Sequence, residues 1–345
     1  MKTNTIFRSI TLAAVCLLAA GCAKDSTIKT GEKAQQYLKL FIEKYYPYVT
    51  PNEYGLYVLE ETPGTGSAWT ESAPYVYART TIRDLGGTIT STTEEPLAQQ
   101  LGTYVKGNYY GPKYQQTGKE QSYVGLDNLL KGMRVGGTRK AIIPSWQLTT
   151  SRYSTSKEYI DACTSDAHME YTVTLEGISS DMAATEKDSL SRYVLQHYGP
   201  GHSPATIASD VTEGTFYFIS DSSAFIGTPH FPSDTTVQLN YTGRLLNGQV
   251  FDTTVERVAK DAGIYSSAKT YGPVSITFAS KYAEIKMGES SSLITGFKGG
   301  LSKLRWLGQT ADVLFTSELG YTTTGSGQTI PPYSPLLFEL EVVKQ

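Results

Sequence analysis

Cysteine, histidine and net charge are all scarce in this sequence. The three cysteines, at 16, 22 and 163, give no basis for a disulfide framework. Cys16 falls in a leader segment and Cys22 at its end, so Cys163 stands alone; nothing like a nucleophile's neighbourhood surrounds it, and it reads as structural. The four histidines are His168, His197, His202 and His230. The pair at 197 and 202 flanks Tyr198-Gly199-Pro200-Gly201 without companion ligands, which argues against a metal site. A formal charge of −3 offers no basic surface of the kind nucleic acid requires.

What the sequence does hold begins at the N-terminus. Lys2 and Arg8 precede an apolar stretch from Ile10 to Ala20, and small residues lead to Cys22. This is the layout of a secretory signal, too short for a membrane-spanning helix. Ala19-Ala20-Gly21-Cys22 resembles the bacterial lipobox, with Leu18 one position further from the cysteine than the commonest pattern. The resemblance implies removal of residues 1–21, lipid on Cys22 and attachment to an envelope membrane, the outer one by expectation, with the chain facing the periplasm or the surface. A plain signal peptide cut nearby is the alternative. Residues 22–31 are small and polar and read as a tether.

The remaining chain is long enough for two domains of ordinary size, and one pattern is written in it twice. Tyrosine is abundant, at 25 residues, and short β-prone runs outnumber helical ones. "EKAQQYLKLFIEKYY" sets Tyr37, Leu38, Phe41, Ile42 and Tyr45 on one helical face; "EKDSLSRYVLQHYG" does the same with Leu190, Tyr193, Val194 and Tyr198. Each helix is followed by a strand, a hairpin, a helical segment and a last β run, "MEYTVTLEGI" or "PLLFELEVVKQ". The expected organisation is a tandem α+β pair, residues 32–180 and 181–345, divided near Ser180.

Chemistry concentrates in the second copy. "YTGRLLNGQVFDTT" is a hairpin with a turn at Asn247-Gly248, and its second strand ends in Phe251 followed by Asp252. Read alone, this is a core Phe beside a solvated Asp. "SSSLITGFKGGLSKL" offers Ser292 as an N-cap, with Leu293, Ile294, Phe297, Leu301 and Leu304 at helical spacing. Gly296, Gly299 and Gly300 make it a poor helix alone, so tertiary packing must hold it. Gly320-Tyr321, a Gly/Thr-rich loop, Ile330-Pro331-Pro332 and a closing strand follow.

In that order, these motifs resemble the FKBP family of peptidyl-prolyl cis-trans isomerases over roughly residues 234–345. The resemblance implies an antiparallel sheet wrapped around one short helix, with an apolar pocket between them. It places Tyr241, Asp252 and Tyr321 as the polar, catalytic groups: Tyr321 donating to the peptide carbonyl, Tyr241 and Asp252 fixing the polar edges. Phe251, Leu293, Ile294, Phe297, Ile330 and Phe338 become the proline-binding surface. Proline-containing segments of envelope proteins are the implied substrates and macrolides the implied ligands, with no cofactor. Two departures stand out. The segment between Asp252 and the helix is long, leaving Ile276, Phe278, Tyr282 and Ala283 as competing candidates for a second pocket aromatic. Tyr321 is followed by Thr322, where glycine is usual.

The first copy is more degraded. Its hairpin turns at Gly86-Gly87, Ala78 falls at the tyrosine position by offset, Ile89-Thr90 replaces Phe-Asp, and Leu126 stands at the pocket floor. "YVGLDNLLKGMRVGGTRKAIIP" matches the helix and following strand, but no Gly-Tyr pair follows Pro144-Ser145. The expectation is an inactive FKBP-like unit beside an isomerase or folding helper. A non-catalytic peptide- or glycan-binding lipoprotein on the same fold is the alternative, and a purely structural surface protein a third.

Overall fold

The computed structural model describes residues 28–207 and 213–343. The leader, Cys22 and most of the tether lie outside the described residues. In chain order the first half holds α1 (Thr30–Tyr45), β1 (Tyr57–Thr62), β2 (Tyr75–Asp84), β3 (Ile89–Thr92), α2 (Glu95–Gln100), β4 (Lys113–Gln116), α3 (Val124–Leu130), β5 (Thr138–Ile143), α4 (Ser156–Ala162) and β6 (Met169–Ser179). The second holds α5 (Met182–Tyr198), β7 (Phe216–Ile219), β8 (Thr236–Leu245), β9 (Val250–Thr253), α6 (Glu256–Ala262), β10 (Val274–Thr277), β11 (Lys286–Met287), α7 (Thr295–Leu301), β12 (Thr310–Phe315) and β13 (Leu336–Val342).

The two sheets repeat one topology. The first runs β1-β5-β6-β2-β3 with β4 also on β2, and the second β7-β12-β13-β8 with β9 and β10 on β8 and β11 at the far edge. Every pairing is antiparallel. The fold is α+β with two such sheets, as the motif order implies.

Each sheet is packed on both faces. Along β12 and β13, Val313, Phe315, Leu336, Phe338 and Leu340 enter one core, which also holds Phe297 and Leu301 of α7. Leu314 and Leu337, one step out of phase, enter another core with Leu190 and Val194 of α5. In the first half α1 plays the part of α5, burying Leu38 and Ile42 against Ile142. Tyr37 and Tyr45 are exposed, flanking that stripe rather than filling it: Tyr37 stacks over His168 and Tyr45 leans on Phe41.

Two buried polar residues fix the outer helices. His168 accepts from the Ser145 N–H at 2.9 Å through Nδ1, and its Nε2–H donates to the Ala34 carbonyl of α1 at 3.0 Å. Glu186 of α5 accepts from the Ser317 amide at 2.6 Å and hydroxyl at 2.7 Å. Asp181 caps α5 through the Ala184 amide, and Gly199, at φ +82°, ends it. His197 stacks on Tyr193, His202 bonds the Tyr198 carbonyl, and the Cys163 thiol donates to the Ser165 carbonyl.

The glycines of α7 have a packing cause. A Cβ on Gly296 would lie 2.2 Å from the Phe315 ring, and one on Gly300 2.5 Å from Val313. The helix thus rests on β12 with no room for side chains. Its start differs from the spacing-based expectation. The residue at the cap position is Ile294, without a side-chain cap, so Ser292 lies outside the helix. Leu293 and Ile294 reach the core from extended chain before the helix, and Leu304 from the turn after it.

Candidate active site

Alternation along β8 turns Leu239, Tyr241 and Leu245 toward the face that α7 covers. Gly243, on the same face, leaves the space that Phe251 and Phe338 fill: a Cβ there would lie 2.5 Å from the first ring and 3.1 Å from the second. Phe338 is the hub. Its ring centroid is 4.9 Å from Phe297, 5.5 Å from Phe251, 5.8 Å from Phe315 and 6.2 Å from Tyr241. Tyr241 meets Phe297 edge-on at 5.5 Å, the arrangement that ring quadrupoles favour. Leu293, Ile294, Ile330 and Tyr321 border the same cluster. All the apolar residues expected at the site therefore converge.

The polar side is equally ordered. Tyr241 Oη donates to Asp252 Oδ2 at 2.7 Å, and the Thr253 amide donates to Oδ1 at 2.9 Å. Lys269 forms an ion pair with the same Oδ1. Burial, then the Asp252 hydrogen bond, pushes the Tyr241 hydroxyl well above the usual phenol range. Burial and, secondarily, the Asp252 charge also raise Tyr321. Both hydroxyls hold their protons at neutral pH. The Tyr321 hydroxyl makes no hydrogen bond among the described residues, so its donor is free for a ligand.

The stretch of chain that builds this aromatic box is similar to known proteins. Residues 228–343 match the family described as FKBP-type peptidyl-prolyl cis-trans isomerase. "FK506-binding protein 1" of Rhizopus delemar is 32% identical over 109 residues, covering 32% of this chain and 79% of that one. The chain belongs to the FKBP-type peptidyl-prolyl cis-trans isomerase family. A "Probable FKBP-type peptidyl-prolyl cis-trans isomerase" of Haemophilus influenzae is 32% identical over 111 residues, 32% of this chain and 35% of the relative. The match thus spans about a third of that protein's length. Among solved structures, FkpA from Escherichia coli aligns with 22% identity over 47% of this chain and 60% of the other, at a TM-score of 0.29.

Within the FKBP-type domain, two site residues escape sequence reasoning. Lys269 is one; nothing in the sequence spacing ties it to Asp252. Val274 is the other. It pairs with Leu239 and so shares the face of Tyr241. None of the four candidates for a second pocket aromatic takes that place: Ile276 and Phe278 lie further along β10 and beyond it in the core, while Tyr282 and Ala283 form a 3-10 turn. Thr322 adopts φ +53°, a left-handed conformation that a β-branched residue resists, which gives a backbone reason for the family's glycine.

Register corrects two positions in the first half. Thr81 and Thr92 share a hydroxyl–hydroxyl hydrogen bond of 2.9 Å, and so do Thr242 and Thr253. A bulge follows at Ile82/Arg83 and at Gly243/Arg244. Superposing these features puts Thr80, not Ala78, at the place of Tyr241, and Thr90-Ser91, not Ile89-Thr90, at that of Phe251-Asp252. Ala78 pairs with Lys113 as Leu239 pairs with Val274. The turn glycines Gly87 and Gly248 fix this register, each amide closing its turn on the residue three before it. Leu126 does correspond to Phe297: Gly125 before it abuts Ile143 as Gly296 abuts Phe315.

Proposed function

We propose that the second half, from near Ser180, catalyses cis-trans isomerisation of prolyl peptide bonds in proteins of a bacterial envelope, and that the first half is a catalytically silent copy. The observation that carries this is the free Tyr321 hydroxyl beside an aromatic box whose other polar edge, Tyr241–Asp252, is already satisfied. The ring of a proline fits the box of Phe251, Phe297, Phe338, Leu293, Ile294 and Ile330, and Tyr321 donates to the peptide carbonyl.

Rotation about a prolyl amide breaks its resonance, against a barrier of roughly 18–20 kcal/mol. The twisted amide carries less charge separation than the planar one, so a dry apolar site disfavours it less. Only this preference for the transition state accelerates the step. No nucleophile or proton transfer enters. Asp252 and Lys269 keep the Tyr241 ring oriented, and the rim tyrosine orients the carbonyl.

The leader pattern supports anchoring through lipid on Cys22, which places the pocket among proteins folding at a membrane. Macrolides, as large and mostly apolar rings bearing carbonyl acceptors, suit the same box. A non-catalytic binder remains the second reading, favoured by Val274, which makes the wall thinner than an aromatic would. Measurement of prolyl isomerisation with the full chain, with and without a macrolide, separates the two: a macrolide-sensitive rate supports the enzyme, and tight peptide binding without rate supports the binder.

A further inference from the structure

The loop that carries Tyr321 and Ile330, residues 321–333, is pinned within the second half by the Thr322 amide on the Ser317 carbonyl and by reciprocal amide–carbonyl bonds between Ser326 and Ile330. Both its ends are non-glycine residues in the left-handed region, Thr322 at φ +53° and Tyr333 at φ +55°, joined by a hydrogen bond from the Tyr333 amide to the Thr322 carbonyl. Such conformations persist where surrounding structure over-determines them. The first half of the chain adds to that structure at the loop tip and at its last residue. The Tyr109 amide donates to the Gln328 carbonyl at the loop tip, at 2.8 Å. Tyr75 meets the buried Tyr333 ring edge-on at 5.5 Å, and the Tyr333 hydroxyl lies 3.4 Å from Gln116 Oε1. A third contact reaches the opposite wall. Gln249 Nε2, two residues before Phe251, donates to the Gly107 carbonyl at 2.8 Å.

We infer that the degenerate first half is a clamp that pre-organises the peptide-binding rim of the second, with Tyr75, Gly107 and Tyr109 as positioning residues. This rests on the isomerase reading above. These contacts fall on the two segments that carry Phe251, Tyr321 and Ile330, so the first half touches both walls. A rim fixed before binding spares the ligand the ordering cost, which lowers KM and leaves the chemical step inside the box unchanged. The silent copy thereby keeps a function without keeping a pocket: its Thr80, Thr90 and Ser91 are dispensable, while the start of β2 and the loop before β4 are not.

Gly107 offers a wedge. It has φ +102°, and a Cβ would lie 2.8 Å from Ile264 Cγ2 of the second half, so Gly107→Val pries the two halves apart locally. Tyr75→Ala removes the ring against Tyr333, and Tyr75→Phe restores it. In the full chain, KM and kcat on a proline-containing tetrapeptide are to be measured with amide hydrogen exchange at Gly325, Ser326, Ile330 and Tyr333. Gly107→Val and Tyr75→Ala are expected to raise KM about threefold or more with kcat nearly unchanged, to speed exchange in the loop, and Tyr75→Phe to behave as the parent. Unchanged exchange, or faster exchange with unchanged KM, overturns the clamp. If the parent chain isomerises nothing, the isomerase reading fails, and exchange alone judges the clamp: faster in both disrupting variants upholds it, unchanged rejects it.

Discussion

Tyr241 and Asp252 form one polar unit, with the phenol donating to the carboxylate at 2.7 Å across the hairpin that joins β8 to β9. The unit is half-exposed and stands at the pocket edge rather than in the core. Asp252→Ala should therefore lower the isomerisation rate markedly while costing about 1–2 kcal/mol of stability, since two hydrogen bonds and a solvent-screened ion pair are lost at a partly exposed edge. Phe251→Ala should damage both rate and fold, by about 2 kcal/mol, below the cost for a fully buried ring. Tyr321→Phe should leave the melting temperature unchanged and lower the rate about threefold to tenfold, since its hydroxyl bonds only the bound peptide. If Asp252→Ala melts early yet turns over like the parent, the carboxylate is structural.

The first half should contribute no rate. Thr80, Thr90, Ser91 and Leu126 stand where the active pocket has Tyr241, Phe251, Asp252 and Phe297. A full chain carrying both Asp252→Ala and Tyr321→Phe is expected to keep only the residual rate of the second half's apolar box in a prolyl isomerisation assay. Adding Thr80→Ala, Thr90→Ala and Ser91→Ala should lower that residual rate no further; a further drop would assign part of the catalysis to the first half.

His168 makes stability depend on pH. Burial, partly offset by its bond to the Ala34 carbonyl, holds its pKa below the ordinary 6.5. Between the folded value and 6.5 the unfolded chain binds a proton that the folded chain refuses, so stability is intact above 6.5 and falls as pH drops through it. Glu186 acts in the opposite sense, because burial raises its pKa above 4.5 and folding then favours its protonated form. The difference between parent and His168→Leu isolates the histidine. Melting temperatures from pH 8 down to about 5 should fall more steeply in the parent. Parallel curves would show that His168 does not carry the slope.

Cys22 is expected to carry the anchor. Cys22→Ser should accumulate as an unprocessed or soluble protein, read by membrane fractionation and intact mass. An unchanged mass and an unchanged membrane fraction after this substitution would refute lipidation at that residue.

The pocket is legible in the sequence through the motif order that resembles the FKBP family, not through spacing alone, which reads Phe251-Asp252 as a core ring beside a solvated carboxylate. Phe251-Asp252 follow the Asn247-Gly248 turn, Tyr321 follows Gly320, and Phe338 lies in a strand ending the domain; all reach one cluster. Lys269 and Val274 were illegible because they lie in a segment whose length leaves no ruler, and only strand pairing locates Val274. In the first half Ala78 and Thr80 lie two residues apart on the same face of β2, so alternation cannot choose between them, and only the turn glycine Gly87 sets the register. Ser292 misled because a cap residue presumes a helix at once after it, whereas Leu293 and Ile294 stay extended to reach the core.

The hydroxyl pairs Thr81–Thr92 and Thr242–Thr253 occupy the same station in both hairpins, on the face turned away from Tyr241 and Gly243. The instructions for register and the instructions for ligand contact are therefore written on opposite sides of the same strand. The inner side can thus differ while the chassis stays the same: of the pocket aromatics the first half has only Tyr171, at the place of Phe338, on the same topology. The traffic back is narrower: Ile82 stands at the place of Gly243, whose missing Cβ makes room for the Phe251 ring, so a graft of tyrosine at 80, phenylalanine at 90 and 126 and aspartate at 91 also needs Ile82→Gly.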